Sequence, residues 1–422
     1  MNLLLLLVLL FAAGCTAIPK AGPTSLPATL PAPTLTPLPT GAVTATPAGP
    51  VTLRIWLPPE LDPNSGSPAG EILKARLEEF SSRRPGAHIE VRIKAPDGPG
   101  GLLDSLTTAS AAAPLALPDL VALPRPIMET AALKGLVHPY QNLTNPIDEP
   151  DWFPYARQLA RLQDSVFGIP FAGDAMTIVY RPSVISTPPD ALSSAFESPD
   201  ILAFPAADPQ ALYTLALYQA AGGGVRDEQG RPILDANVLE QVLSFYQAGS
   251  QSQLTPFWLT QFQNDAESWQ IYKEGRVPMV VTWMSRYLQE LQPDMAAAPL
   301  PTLSGDDFTL ASGWVWSLAS PDPERQKLST ELAEFLSDSE FMAQWTAAAG
   351  YLPTRASALT SWQDETIQTL ASQILMSAQL YPPEDLLTSL APALERATVE
   401  VLKQESDPQK AAQEAAESLM IP

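Results

Sequence analysis

Between Val51 and Gly135 the chain alternates strand-like and helix-like runs three times, and no other feature constrains its fold as tightly. Residues 51–56 (VTLRIW) form a short β-type run. Ser67-Pro68 then offers an N-cap and a first-turn proline. Leu73, Leu77 and Phe80 follow at helical spacing, and Pro85-Gly86 stops the helix. Residues 88–93 (HIEVRI) alternate as a strand, 102–113 are helical in composition, and 118–123 (PDLVAL) read as a buried strand. A helix through Met128 and Ala132 ends at Gly135. Strand–helix repetition of this kind predicts an α/β fold with a parallel sheet covered on both faces. Further on, Leu328, Leu332 and Phe335 repeat at helical spacing, as do Leu387, Leu390 and Leu394. The tail from Thr360 reads as helical with breaks at Pro382, Pro392 and Pro408.

The N-terminus has a different character. An uncharged apolar run through Phe11 ends in Ala12-Ala13-Gly14-Cys15, and Cys15 is the one cysteine in 422 residues. Roughly 10 apolar residues fall short of the ~20 that span a bilayer as a helix, and they suit a signal-peptide core. A lone cysteine after Ala-Ala-Gly resembles the bacterial lipobox, whose thiol takes a diacylglycerol. Ala12 stands where that pattern usually has Leu, and no Lys or Arg precedes the apolar core. Residues 1–14 are therefore expected to be a lipoprotein signal peptide and Cys15 the lipid-bearing mature N-terminus. Residues 16–50 are dominated by Pro, Thr, Ala, Leu and Gly with Lys20 as their single charge. Such a composition cannot offset the entropy of ordering, so 15–50 reads as a tether. At about 3.1 Å per residue in polyproline II form it reaches up to ~100 Å.

The remaining residues, 51–422, exceed one ordinary core and predict two domains. A formal charge of −22 argues against nucleic-acid partners, which require clustered Lys and Arg. It also argues against direct adhesion to anionic lipid. The two histidines, His88 and His138, stand far apart. No zinc-helix pattern, nucleophile elbow or phosphate loop is present, and 222–224 (GGG) lacks the lysine of a phosphate loop. The sequence implies no metal and no cofactor. A pair of glycosidase carboxylates leaves no fixed spacing, so a secreted carbohydrate-active enzyme stays open on this ground alone.

An ordered series of segments carries a family resemblance. After the helix ending in Phe80 come PDLVAL (118–123), KGLVHPYQNL (134–143) and SVFGIPFAGDAMTIVYRP (165–182). GGG (222–224), RPILDANVLEQVLSFY (231–246), YKEGRVPMVVTWMSR (272–286) and PLPTLSG (299–305) follow. SGWVWSLAS (312–320), ELAEFLSDSEF (331–341), GYLPTR (350–355) and SDPQKAAQEAAE (406–417) complete it. In this order they resemble the family 1 extracellular solute-binding proteins, the binding lipoproteins of ABC importers, including maltose- and multiple-sugar-binding members. The resemblance implies a two-lobe, hinged, periplasmic-binding-protein-like fold of type II with its ligand cleft between the lobes. It divides the chain into an N-terminal lobe of 51–172 and 298–350 and a C-terminal lobe of 173–297 and 351–422. The chain is expected to cross between them near Met176, again near 298–301, and near Gly350.

The implied function is capture of a small solute, a sugar or oligosaccharide, by a monomer lipid-anchored outside the cytoplasm that delivers it to ABC permease subunits. A tethered sensor that signals to a membrane receptor has the same fold and stays open. In open α/β sheets ligands sit beyond the carboxyl ends of strands, and aromatic walls suit sugar C–H faces. Trp56 closes the first strand, Asp174 follows PFAG at the first crossing, and Trp283 closes PMVVT. These three are the leading ligand-binding candidates, with Arg125, Tyr213, Arg286, Trp314 and Tyr351 behind them; Trp316 is a further one. The loop after Trp56 and the segment 183–208 depart from the family pattern, so the sugar class rests on the family majority, and oligosaccharide, polyol, sugar phosphate and peptide all stay open.

Overall fold

The structure, a computed structural model, describes residues 51–196 and 200–420. The signal-peptide run, Cys15 and the tether lie outside the described residues.

Strands β1 (Val51–Leu57), β2 (Ala87–Ile93) and β3 (Leu120–Pro124) run parallel in the order β2-β1-β3. Strand parity decides which side chains meet which layer. Leu53, Ile55 and Leu57 of β1, with Leu120 and Ala122 of β3, face Leu73, Leu77 and Phe80 of the helix Pro68–Arg83. The opposite parity, Trp56, Val121 and Leu123, meets Leu102 and Leu106 of the helix Leu102–Ala112 and Met128 of the helix Arg125–Leu133. The sheet is thus covered on both faces, as the strand–helix alternation predicts. Ser67 caps the first helix by accepting from Gly70 N at 3.0 Å, with Pro68 in its first turn.

A small hairpin, β4 (Arg161–Leu162) and β5 (Ser165–Val166), precedes the longest strand, β6 (Ile169–Tyr180). β7 (Leu202–Ala203), β8 (Met279–Trp283), β9 (Ala296–Ala298), β10 (Thr309–Leu318) and β11 (Ala378–Leu380) follow. The mixed sheet continues β3-β10-β6-β8-β7, with β9 on β6 and β11 on β10. β6 serves two strand sets in succession. Its first part, through Ala175, pairs antiparallel with β10, while 176–180 pairs with β8 and β9. One strand shared in this way ties two lobes together, and the molecule is α/β with two lobes.

Where the two parts of β6 meet, Gly173 lies opposite Gly313 of β10 and exchanges backbone hydrogen bonds with Leu352. A Cβ at Gly173 would stand 1.8 Å from the Tyr155 hydroxyl, so this close approach requires glycine.

Two segments differ from expectation. The family resemblance implies a second lobe that takes up the whole of 351–422, yet β11 pairs with β10, and Arg355 pairs with Glu149 at 2.6 Å and Asp151 at 3.4 Å. Backbone pairing and these ion pairs hold Arg355 and 378–380 against the first strand set. Pro392 does not break the tail: the helix Glu384–Leu402 runs through it. Its buried face, including Leu387, Leu390 and Leu394, packs on the helices Ala236–Ser252 and Pro408–Ser418. That burial outweighs the roughly 3 kcal/mol cost of an interior proline.

Candidate functional site

A cavity of about 360 Å³ opens where the two strand sets meet. From the first set it takes Pro124 at the end of β3, Ser312, Gly313 and Trp314 of β10, and Tyr381 just after β11. From the second come Trp283 at the end of β8, Ser285, Arg286 and Gln289 of the helix Met284–Gln289, and Asp265 of the helix Asp265–Lys273. Gln210, Leu212 and Tyr351 also line it, and Asp174 of the shared strand completes it.

Local sequence explains how each element presents its residue. β8 (MVVTW) is buried until Trp283, where the chain turns into the next helix. β6 is buried along its length except at Asp174 and Tyr180. The Asp174 carboxylate accepts from Ser285 N at 2.9 Å, Ala175 N at 2.9 Å and Ser285 Oγ at 2.5 Å. It thereby ties β6 to the helix that follows Trp283. Burial lifts its pKa to about 7 against the lowering effect of the Ser285 and Ala175 hydrogen bonds, and nearby Asp265 adds to the rise.

Asp265 accepts from Thr282 Oγ1 at 2.6 Å and pairs with Arg286 Nε at 3.1 Å. Its own pKa is raised, chiefly by burial. Arg286 also reaches Glu290 at 3.5 Å, and Lys273 pairs with Glu290 at 2.7 Å. Gln289, on the same helix, donates to the Ala349 carbonyl at 3.0 Å; nearby Tyr351 has its hydroxyl pushed up to about 12 by burial, with the charges of Asp174 and Glu60 adding to the rise. Ser312 Oγ donates to the Tyr381 hydroxyl at 3.3 Å. Aromatic rings alternating with carboxylates, amides and hydroxyls have the chemistry to stack on an apolar face and to hydrogen-bond a polar edge.

Of the residues singled out in the sequence, Asp174, Trp283, Arg286, Trp314 and Tyr351 come together in this cavity. Three do not. Trp56 is 3% exposed and belongs to the layer of Leu102, Leu106 and Met128, because its parity points away from Leu53 and Ile55. Arg125 is buried against Glu129 at 2.6 Å and donates to the carbonyls of Gln158 at 2.6 Å, Leu159 at 2.8 Å and Arg161. It clamps a helix start to the segment before the β4–β5 hairpin. Tyr213 lies in a buried aromatic group with Phe204 and Tyr246, while its neighbour Leu212 lines the cavity.

Trp316 is also buried, stacked on Phe171 at 4.3 Å. Phe171 in turn meets Trp345, and Trp345 stacks on Tyr351 at 6.1 Å. The aromatic residues therefore divide into a lining and a supporting row. Asp265, Ser285, Gln289, Gln210, Ser312 and Tyr381 were not anticipated. Ser285, Arg286 and Gln289 share one turn of helix after Trp283, and that spacing was the available signal. Among the described residues no group of three or more His, Cys, Asp and Glu could hold a metal ion, and no helix is long and apolar enough to cross a membrane.

Several solved structures share the fold at low sequence identity. The sugar-binding protein MalE from Xanthomonas citri is 19% identical, with a TM-score of 0.72 over 88% of this chain and 98% of that one. The cyclic alpha-maltosyl-1,6-maltose binding protein from Arthrobacter globiformis is 13% identical, with a TM-score of 0.73 over 88% and 98%. An ABC transporter solute-binding protein from Thermotoga lettingae, bound with alpha-D-tagatose, is 18% identical, with a TM-score of 0.65 over 87% and 98%. These likenesses show the periplasmic-binding-protein-like fold. No curated protein matches the chain significantly. Residues 75–371 match the bacterial extracellular solute-binding proteins, most of the folded part with the cavity elements from Pro124 to Tyr351, and the chain belongs to that family.

Proposed function

We propose that this protein captures a sugar or short oligosaccharide in the cavity around Asp174 and Trp283 and delivers it to an ABC importer, while tethered outside the cytoplasm through a lipid on Cys15. The observation that carries the solute class is the lining itself: Trp283, Trp314, Tyr351 and Tyr381 interleaved with Asp174, Gln210, Ser285 and Gln289. Rings bury the apolar face of a pyranose while carboxylates and amides take its hydroxyls. The first lobe is assigned 51–172, 298–350 and, from its pairing, much of 351–380; the second takes 173–297 and the remaining tail. Closure of the two lobes on a ligand that both contact is a population shift driven by those differential contacts.

Calorimetry against a panel including maltose, cellobiose and their monosaccharides tests the site. One stacked ring contributes ~0.5–1.5 kcal/mol beyond its area burial. Trp283→Ala is therefore expected to weaken the best ligand by at least about tenfold, since roughly 1.4 kcal/mol is one decade. Unaltered affinity in the folded variant assigns Trp283 to packing. The tether is tested separately: cells expressing the full chain incorporate labelled palmitate, and Cys15→Ala abolishes it. Equal labelling of both proteins removes Cys15 from the reading.

A further inference from the structure

Two carboxyl groups, Asp174 and Asp265, and one cationic side chain line the cavity. Arg286 is the one cationic side chain in its lining, and it is engaged by Asp265 at 3.1 Å and Glu290 at 3.5 Å. Lys273, behind it, is held by Glu290 at 2.7 Å. Asp265 thus has a cationic partner within the lining. Asp174 is the one left over: its partners are two backbone N–H groups and a serine hydroxyl, all neutral.

We infer that the solute taken by this cavity carries a protonated amine, seated between the Asp174 carboxylate and the rings of Trp283, Trp314, Tyr351 and Tyr381. This inference rests on the solute-binding reading above and narrows it to an amino sugar. A carboxyl group whose partners are all neutral is costly to ionise, and an ammonium group offsets that cost by favouring the carboxylate, where a hydroxyl only hydrogen-bonds it. The electron-rich ring faces attract the same charge, most strongly where water is excluded. An anionic solute meets the opposite field, because Arg286 is already shared between two carboxylates.

The test compares two solutes of one shape. Cellobiose and the β-1,4 dimer of glucosamine differ at the 2-position, hydroxyl against ammonium. 1,6-Diaminohexane supplies the amine without the sugar, and maltose serves as a neutral sugar of different linkage. Each is titrated calorimetrically into the full chain and into Asp174→Asn near neutral pH. The glucosamine dimer is expected to bind at least about tenfold tighter than cellobiose to the wild type. Asp174→Asn is expected to erase that preference. Salt near 1 M, where the screening length is ~3 Å, is expected to narrow it in the wild type even if the variant fails to fold. Cellobiose or maltose binding as tightly as the glucosamine dimer overturns the amine inference and leaves the sugar reading standing. Diaminohexane binding tighter than every sugar supports the amine and overturns the sugar. Binding of none of the four overturns both.

Discussion

Arg125→Met is expected to lower the unfolding free energy by about 3–5 kcal/mol, the cost of breaking a buried pair by removing one partner. The substitution leaves Glu129, 5% exposed, without its guanidinium, and it strips the donor from the carbonyls of Gln158, Leu159 and Arg161. The damage falls on the junction between the helix Arg125–Leu133 and the segment before the β4–β5 hairpin, not on the cavity lining. Molecules that remain folded are expected to bind solute within about threefold of the wild type, a change under ~1 kcal/mol. Adding Glu129→Leu removes the stranded carboxylate, and the double variant is expected to regain a large part of the loss. Urea unfolding at neutral pH reads all three proteins. A single variant with the wild-type midpoint, or one that folds normally but fails to bind, would return Arg125 to the site.

Arg125 also shows where sequence reading stopped. An arginine directly after a buried parallel strand sits at the carboxyl end where ligands gather, and this is true of Arg125 whether or not it faces the cleft. What decides its role is Glu129, one helical turn on, together with three carbonyls about 35 residues away that no local pattern brings near. Trp56 and Trp283 pose the same problem in strands. Each lies near the end of its strand, but β1 continues through Leu57 and turns Trp56 toward a helix layer, whereas β8 ends at Trp283. The parity of a single residue separates core from lining.

The periodicity of 51–135 was legible because each helix and strand there carries its own apolar rhythm and its own stop. The site was legible where it rides on such elements: Asp174 in β6, Trp283 and Arg286 around the end of β8, Trp314 in β10. It was hidden where long-range pairing supplies the residue. Tyr381 reaches the cavity because β11, inside a stretch that reads as a helical tail, pairs with β10, 69 residues earlier in register. Asp265 was hidden for another reason. An acid in the first turn of a helix is what the helix dipole favours anyway, so its place in the lining leaves no separate trace.

Asp174→Asn is expected to make the ligand-free protein more stable, by an amount that depends on pH. Burial lifts the Asp174 carboxyl from its ordinary 3.8 to about 7. Between those values the native state keeps a proton that the unfolded chain has released. Stability therefore falls as pH climbs through that window and is level above it. Asparagine does not titrate, and its amide oxygen still accepts from Ser285 N and Ala175 N while its NH2 faces Ser285 Oγ. The advantage of the variant should open near pH 4, grow by up to about 1.4 kcal/mol per pH unit, and stop growing near pH 7 at something on the order of 3–4 kcal/mol. Other charged and titratable groups lie near this carboxylate: Asp265, Tyr155 and Tyr351, with Arg286 in the same lining. All are present in both proteins, so the difference curve isolates position 174 to the extent that their couplings are unchanged. Urea unfolding of the two proteins from pH 4 to 8 measures it. Parallel curves would mean that Asp174 ionises as an ordinary surface carboxylate. A curve that opens and then levels, joined to weaker solute binding by the variant, marks a destabilising charge kept where the solute binds, which is the trade expected of a binding residue and not of a packing one.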